Sequence, residues 1–264
     1  MFHVERHVGA AGLKVIAVVN QKGGVGKTTT AVNLAAGLAL AEQKTLLIDL
    51  DPQGNATTGL GIDKQQLKLT IYHVLIEGRS IEESIQGTAL PFLEVVPSEI
   101  DLVGAEIELV SMEERERRLR RALEPIKQEY AFVIIDCPPS LGILTLNALN
   151  AADSALVPLQ CEFYAMEGLA HILKTIALVR ERLNPELKVE GIVITMFDGR
   201  TSLAAQIKAE VQRHLGDQIL TTVIPRNIRL TEAPSHGKPI MLYDLRSPGS
   251  IAYLELTKEV LAHV

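Results

Sequence analysis

Eight residues near the start of the chain, Lys22-Gly23-Gly24-Val25-Gly26-Lys27-Thr28-Thr29, bring together three glycines, two lysines and two threonine hydroxyls. Glycines let a backbone turn tightly and aim successive N–H groups at anionic oxygens. A lysine can neutralise phosphate charge, and a threonine hydroxyl can ligate Mg²⁺. The apolar, β-branched run Val15 to Val19 precedes these residues and a helical pattern from Thr28 to Ala41 follows them. The helix N-terminus therefore adds partial positive charge at the same place. The chemistry predicted is the cradling of a phosphate chain. The common spacing G-x-x-x-x-G-K-[ST] would put a glycine at position 21, but Gln21 stands there and Lys22 follows it. This is a deviant phosphate loop with a second lysine at its start.

Carboxylates stand where such a loop needs them. Ile134-Ile135-Asp136 ends a buried strand with an acid, the arrangement that reaches Mg²⁺ through water in phosphate-loop enzymes. Asp49-Leu50-Asp51-Pro52-Gln53-Gly54-Asn55 puts two more acids just past another strand. In an open parallel sheet, the C-terminal edge of the strands is the ligand edge. One of these two acids could hold an attacking water; either one alone could equally cap a loop.

The elements that must position these groups alternate along the chain. Strand patterns occupy 15–19, 45–49, 92–96, 132–136, 155–159, 189–194 and 219–224. Helical patterns fall at 28–41, 113–129, 164–183, 201–215 and 248–262. Continuous rather than alternating apolar strands fit a parallel sheet buried on both faces. The fold expected is α/β: one doubly wound, mostly parallel sheet with helices on both faces, spanning 14–264, after a disordered tail at 1–13. The acid-first pairs Glu113–Arg117, Glu114–Arg118 and Glu116–Arg120 predict an exposed crossover helix, with Leu119, Ala122, Leu123 and Ile126 as its buried stripe.

Composition narrows the class. With 47% hydrophobic and 22% charged residues among 264, the chain is ordinary globular material rather than a disordered one. Cys137 and Cys161 cannot build a disulfide scaffold and suit a reducing cytosol. No apolar run reaches the roughly 18 residues of a membrane span. Net charge is −6, but residues 196–264 hold 8 Lys+Arg against 7 Asp+Glu, leaving −7 on the first 195. A basic face at the C-terminal end and ordinary scatter both fit that difference.

Taken together, Lys22–Thr29, Asp49–Asn55, Asp136-Cys137-Pro138-Pro139-Ser140 and Ile224-Pro225-Arg226-Asn227 resemble the ParA/Soj chromosome-partition ATPases, which group with MinD and the nitrogenase iron protein among the deviant-Walker ATPases. Tyr164-Ala165-Met166-Glu167-Gly168 and Glu232 to Pro239 look like the chromosomal Soj subgroup. The resemblance runs from about Lys14 to the C-terminus. It implies a cytoplasmic, nucleoid-associated ATPase that hydrolyses slowly and forms an ATP-sandwich homodimer. Lys22 would cross to the partner's nucleotide. Gly23 would belong to the loop. Lys27 and the N–H groups of Gly24, Val25 and Gly26 would hold phosphates, Thr28 would bind Mg²⁺ with Asp136 behind a water, and Thr29 would reach the α-phosphate. Asp51 would position the attacking water, and Asp49 would support the Mg²⁺ region. Pro52, Pro225 and Asn227 would line the nucleotide. Arg200 and Arg229 match positions at which Soj-like proteins hold double-stranded DNA without sequence preference, and Lys238 and Arg246 are further candidates. The partner implied is a ParB/Spo0J-like protein that stimulates hydrolysis.

Three rivals bear on that reading. A MinD-like membrane regulator would end in a basic amphipathic helix, whereas Tyr253 to Val264 carries one lysine and two glutamates and reads as a packed closing helix. An iron–sulfur carrier would need placed cluster thiolates, and Cys137 and Cys161 read more simply as small buried residues. A scaffold positioning some other cargo, such as a polar protein cluster, would share every motif. In the tail, Phe2-His3-Val4-Glu5 can be encoded by TTC-CAC-GTG-GAA, its own reverse complement, which resembles the centromere-like parS site. Chance is the alternative, and the gene's codons decide between them.

Overall fold

The computed structural model describes residues 12–263. The expectations for the tail at 1–11, its disorder and the parS-like coding string, lie outside the described residues.

Among the described residues, eight strands form one sheet: β1 (Lys14–Val18), β2 (Thr45–Asp49), β3 (Gln86–Gly87), β4 (Leu93–Val96), β5 (Phe132–Asp136), β6 (Ser154–Gln160), β7 (Lys188–Phe197) and β8 (Ile219–Pro225). Their order across the sheet is β3-β4-β2-β5-β1-β6-β7-β8. Every neighbouring pair is parallel except β3–β4, a two-residue antiparallel edge with no sequence signal of its own. The helices are α1 (Lys27–Leu40), α2 (Asn55–Gly59), α3 (Leu102–Glu108), α4 (Arg118–Leu123), α5 (Ile143–Ala151), α6 (Ala165–Arg182), α7 (Ser202–Leu215), α8 (Ile228–Glu232), α9 (Ile240–Tyr243) and α10 (Pro248–Leu261).

The continuous apolar strands are explained by two cores. Along β1, Val15 and Ala17 face one core and Ile16 and Val18 the other; along β5, Val133 and Ile135 face the first and Phe132 and Ile134 the second. Helices α3 to α7 cover the first face, and α1, α9 and α10 cover the second. A strand buried on both sides has no polar face to show, so its pattern cannot alternate. The closing helix α10 buries Tyr253, Leu256 and Val260 in the second core, as a packed helix does. No helix among the described residues is long and apolar enough to cross a membrane.

One expected element is different. The helix predicted over 113–129 shrinks to α4 and a short 3₁₀ turn at Glu124–Ile126. Glu114 has φ +49°, outside the right-handed helix. Asn147 Nδ2 on α5 donates to the Arg115 carbonyl at 2.7 Å, and Asn150 Nδ2 donates to the Glu116 carbonyl at 2.7 Å. Asn147 Oδ1 accepts the Leu119 N–H at 3.2 Å. A tertiary contact has taken the backbone groups that a longer helix would pair internally. The acid–base pairs re-sort accordingly: Arg117 meets Glu114 at 3.7 Å, Arg115 meets Glu116 at 2.9 Å, and Arg121 also reaches Glu114. The buried stripe keeps Leu119, Leu123 and Ile126.

Candidate functional site

The strand order reverses at β1, which lies between β5 and β6, so the loop after β1 opens into the crevice at the C-terminal edge of the sheet. The ends of β2, β5, β6, β7 and β8 converge on the same edge. Val18 pairs in register with Asp136, and Asp49 with Asp136.

The loop itself is held from both sides. Gly24 (φ +76°) and Gly26 (φ +88°) adopt the left-handed conformation that side chains disfavour. Asn20, 3% exposed, donates through Nδ2 to the Pro158 carbonyl at 2.7 Å and accepts the Lys22 N–H at 3.0 Å. Thr195 Oγ1 on β7 donates to the Val25 carbonyl at 2.8 Å. The 14-residue helix α1 then starts at Lys27 with no side-chain cap and no acid in its first turn. Its unpaired N–H groups and positive dipole end face the crevice without internal competition.

A cavity of about 340 Å³ is lined by Gly23, Gly24, Gly26, Lys27, Thr28 and Thr29 on one side and by Asp51, Gln53, Asn55, Pro139 and Met196 on the other. Lys27 is 6% exposed and donates to the Lys22 carbonyl at 3.1 Å. Burial pulls its pKa down, opposed by Asp136, Cys137 and Asp51. Lys22 does not line this cavity. Its ammonium pairs with Glu162, just past β6, and both side chains remain about half-exposed.

The acids divide their work. Asp136 is fully buried, and neither carboxylate oxygen has a hydrogen-bond partner among the described residues. Burial first, then Asp49, drives its pKa well above the ordinary carboxylate value. The Thr28 hydroxyl and Lys27 pull the other way, Thr28 sitting beside the carboxyl but outside the geometry of a formed hydrogen bond. Asp49 is also fully buried but saturated: Oδ2 accepts from Thr57 N at 2.8 Å and Thr57 Oγ1 at 2.7 Å, and Oδ1 from Asp51 N at 3.3 Å. Its pKa is pushed up to about 6, chiefly by burial. Asp49 thus anchors α2. Asp51, 8% exposed, accepts the Gln53 N–H on Oδ1 at 2.9 Å.

The donor set fits Mg²⁺ bound with a phosphate. Orphaned buried oxygens on Asp136 beside the Thr28 hydroxyl are the ligands, direct or through water, that such an ion uses when phosphates and waters supply the rest. No cluster of three or more His, Cys, Asp or Glu among the described residues could hold an ion alone. Burial raises the pKa of both cysteine thiols, Cys137 well above its ordinary value.

A second cavity, about 330 Å³, adjoins the loop through Gly26 and Thr29 and is walled by Met196, Pro225, Asn227, Leu230 and Pro234. It has the size and apolar walls for a base. Asn227 Oδ1 caps α8 by accepting the Arg229 N–H at 3.0 Å, which leaves its amide N–H to present. Pro52 is half-buried beside Asp51 and lines neither cavity. Sequence reasoning missed Thr195, Met196 and Leu230. They come from β7 and α8 without a motif, and Met196 (φ +49°) is a left-handed residue no local pattern announces.

Of the residues expected to hold DNA, Arg200, Arg229 and Arg246 line none of these cavities. Arg200 is exposed and bidentate with Asp198, at 2.8 and 2.6 Å, and that pairing pulls the Asp198 pKa down to about 2. Arg229 pairs with Glu232 at 2.8 Å and Asp244 at 3.5 Å. Arg246 is exposed. Lys238 is exposed too, but it lines a third cavity with Thr28, Thr29, Asn33 and Asn55, so it stands beside the nucleotide side of the molecule.

The chain is similar to known proteins along most of its length. Residues 13–189 match the family model described as an AAA domain. The chain is 55% identical over 250 residues to the sporulation initiation inhibitor protein Soj of Bacillus subtilis, covering 95% of this chain and 99% of that one. It is 56% identical over 248 residues to the chromosome partitioning protein ParA of Myxococcus xanthus, covering 94% and 88%. A solved structure from Mycobacterium smegmatis, described as cobyrinic acid a,c-diamide synthase with bound ADP and magnesium, is 38% identical with a TM-score of 0.84, covering 95% of each chain.

Proposed function

Given that this chain belongs to the ParA/Soj family of chromosome-partitioning ATPases, we propose that it is an ATP-driven switch: an ATP-sandwich homodimer that holds double-stranded DNA non-specifically and lets go after hydrolysis stimulated by a ParB/Spo0J-like partner. The observation that carries this reading is the position of Lys22. Lys27 alone lines the phosphate cavity, while Lys22 stands at its rim on an exposed carboxylate. A rim lysine can serve a nucleotide on a facing copy, and a charge supplied in trans acts only when the dimer forms.

Each residue then has a task. Lys27, the loop N–H groups and the α1 N-terminus take the phosphate charge. Thr28 and Asp136 would hold Mg²⁺, which would supply positive charge against the charge developing on the phosphates. Thr29 reaches the α-phosphate. Asp51 orients the attacking water, and Pro225 and Asn227 receive the base. Hydrolysis is slow until the partner completes the site. Arg200 and Arg229 exchange their carboxylates for DNA phosphates, and the dimer doubles that face.

The test is a gel shift on non-specific duplex DNA with ADP, with ATP, and with ATP and Lys22→Ala, at two salt concentrations. The expected result is an ATP-dependent, salt-sensitive shift that Lys22→Ala abolishes. No shift in any state, with ATP dimers confirmed by sizing, overturns the DNA role.

A further inference from the structure

The loop that carries Asp51 is clamped by a cation with no assigned role. Lys64 folds back from a short 3₁₀ turn, and its Nζ donates to the Gln53 carbonyl at 2.6 Å. Its bond is to a main-chain oxygen, not to a carboxylate. The same side chain closes the space over Gly54, which has φ +60°. A Cβ there would stand 2.6 Å from Lys64 Nζ, 2.7 Å from its Cε and 2.6 Å from the Ser98 carbonyl. Asp51, Gln53 and Asn55 face the phosphate cavity, so the clamp grips the backbone in the middle of that trio.

The turn that delivers Lys64 is itself fixed. Asp63 Oδ1 accepts the Gln65 N–H at 3.0 Å, and Oδ2 accepts from Gln66 Nε2 at 2.8 Å. The chain reaches it from α2 through Gly61 (φ +79°), packed backbone to backbone on Gly237 (φ +61°). A Cβ on Gly237 would come within 2.6 Å of the Gly61 Cα. The clamp therefore ties the Asp51 loop to the segment that follows α8, on the base side of the site.

We propose that Lys64 is a positioning residue for ATP hydrolysis: its ammonium holds the Gln53 carbonyl so that Asp51 meets the attacking water at the phosphate cradle. This rests on the water-orienting role of Asp51 given above. A charged donor makes a stronger hydrogen bond than a neutral one. Small misplacements of a catalytic group cost large factors in rate, on the order of 10²-fold for 1 Å. Binding of the nucleotide itself is left to the loop, α1 and the base cavity, and Lys64 lines neither cavity.

The test compares the full chain with Lys64→Met, Lys64→Arg and Asp51→Ala, measuring steady-state ATP hydrolysis, affinity for a non-hydrolysable ATP analogue, and the melting midpoint. Lys64→Met lowers kcat by about tenfold or more. It leaves analogue affinity and melting near wild type, and Lys64→Arg recovers most of the rate because a guanidinium can still donate to the carbonyl. Wild-type kcat in Lys64→Met, with Asp51→Ala inactive, overturns this inference alone. So does a loss in Lys64→Met that falls equally on affinity and melting and is not recovered by Lys64→Arg. Wild-type kcat in Asp51→Ala overturns the role of Asp51 and this inference with it.

Discussion

The hydroxyl of Thr195 reaches across from β7 to hold the Val25 carbonyl inside the phosphate loop. Thr195→Val keeps the shape but leaves that buried carbonyl unpaired, at a cost of roughly 1 kcal/mol to the loop conformation. ATP affinity should weaken about five- to tenfold, and Thr195→Ser should restore it; a titration with a fluorescent ATP analogue reads both. Asp49 carries a pH dependence. Its native carboxyl binds its proton near pH 6, the unfolded one near pH 4. Between those values the native state holds more protons, so this group's contribution to stability falls as pH rises through the window. Thermal unfolding of ligand-free protein from pH 4 to 7 should show that slope, to which buried Asp136 adds in the same sense, and Asp49→Asn should reduce it without abolishing it while losing some stability at every pH. At this scale the sequence was legible wherever a motif concentrates the chemistry, as in Lys22–Thr29 and at Asp136. It was not legible for Thr195 and Met196, which meet the loop only through the β6–β7 crossover, nor for the split between Asp49 and Asp51, which depends on Thr57 saturating one of them.

Elements followed their patterns where burial on two faces fixed them and departed where a neighbour supplied a better partner. Strands β1, β2 and β5 stand within a residue of their apolar runs because nothing else could fill the space between two cores. The 113–117 segment had helical charge spacing worth only a few tenths of a kcal/mol per pair. Two α5 asparagines bonding its carbonyls outweigh that, since each satisfied buried group spares about 1–3 kcal/mol. Asn147→Ala should therefore destabilise the protein by about 1–3 kcal/mol, seen as a lower urea midpoint at unchanged slope, because it strands the Arg115 carbonyl and the Leu119 N–H together. Gly37 makes a complementary case in α1. A Cβ there would stand 2.1 Å from Thr257 Oγ1 and 3.1 Å from Thr257 Cβ on α10. Alanine is favoured in a helix by about 1 kcal/mol, yet Gly37→Ala should lower the midpoint, because overpacking costs about 1–3 kcal/mol. Adding Thr257→Ala should recover part of the loss.

The molecule as a whole carries a net charge of −6, which opposes DNA, so any DNA face must be local. Its proposed arginines start out neutralised, Arg200 by Asp198 and Arg229 by Glu232 and Asp244. Exposed pairs of this kind are worth about 0–1 kcal/mol, so trading a carboxylate for a phosphate is nearly neutral in itself. The gain comes from counterions released by the DNA, and it grows when a dimer presents two copies of the face. That argument makes opposite predictions for the two halves of one ion pair. Arg229→Glu should weaken ATP-dependent DNA binding and flatten the slope of log affinity against log salt by about two, one phosphate contact from each protomer. Glu232→Gln should strengthen binding at low salt, because Arg229 then surrenders only the longer contact to Asp244. The substituted amide can still accept from the Tyr243 hydroxyl, which stands 3.1 Å from the Glu232 carboxylate. Fluorescence anisotropy on a duplex of arbitrary sequence, from low to moderate salt, measures both slopes. A salt slope unchanged in Arg229→Glu would remove this arginine from the DNA face and leave the ion pair as an internal brace between α8 and the turn after α9.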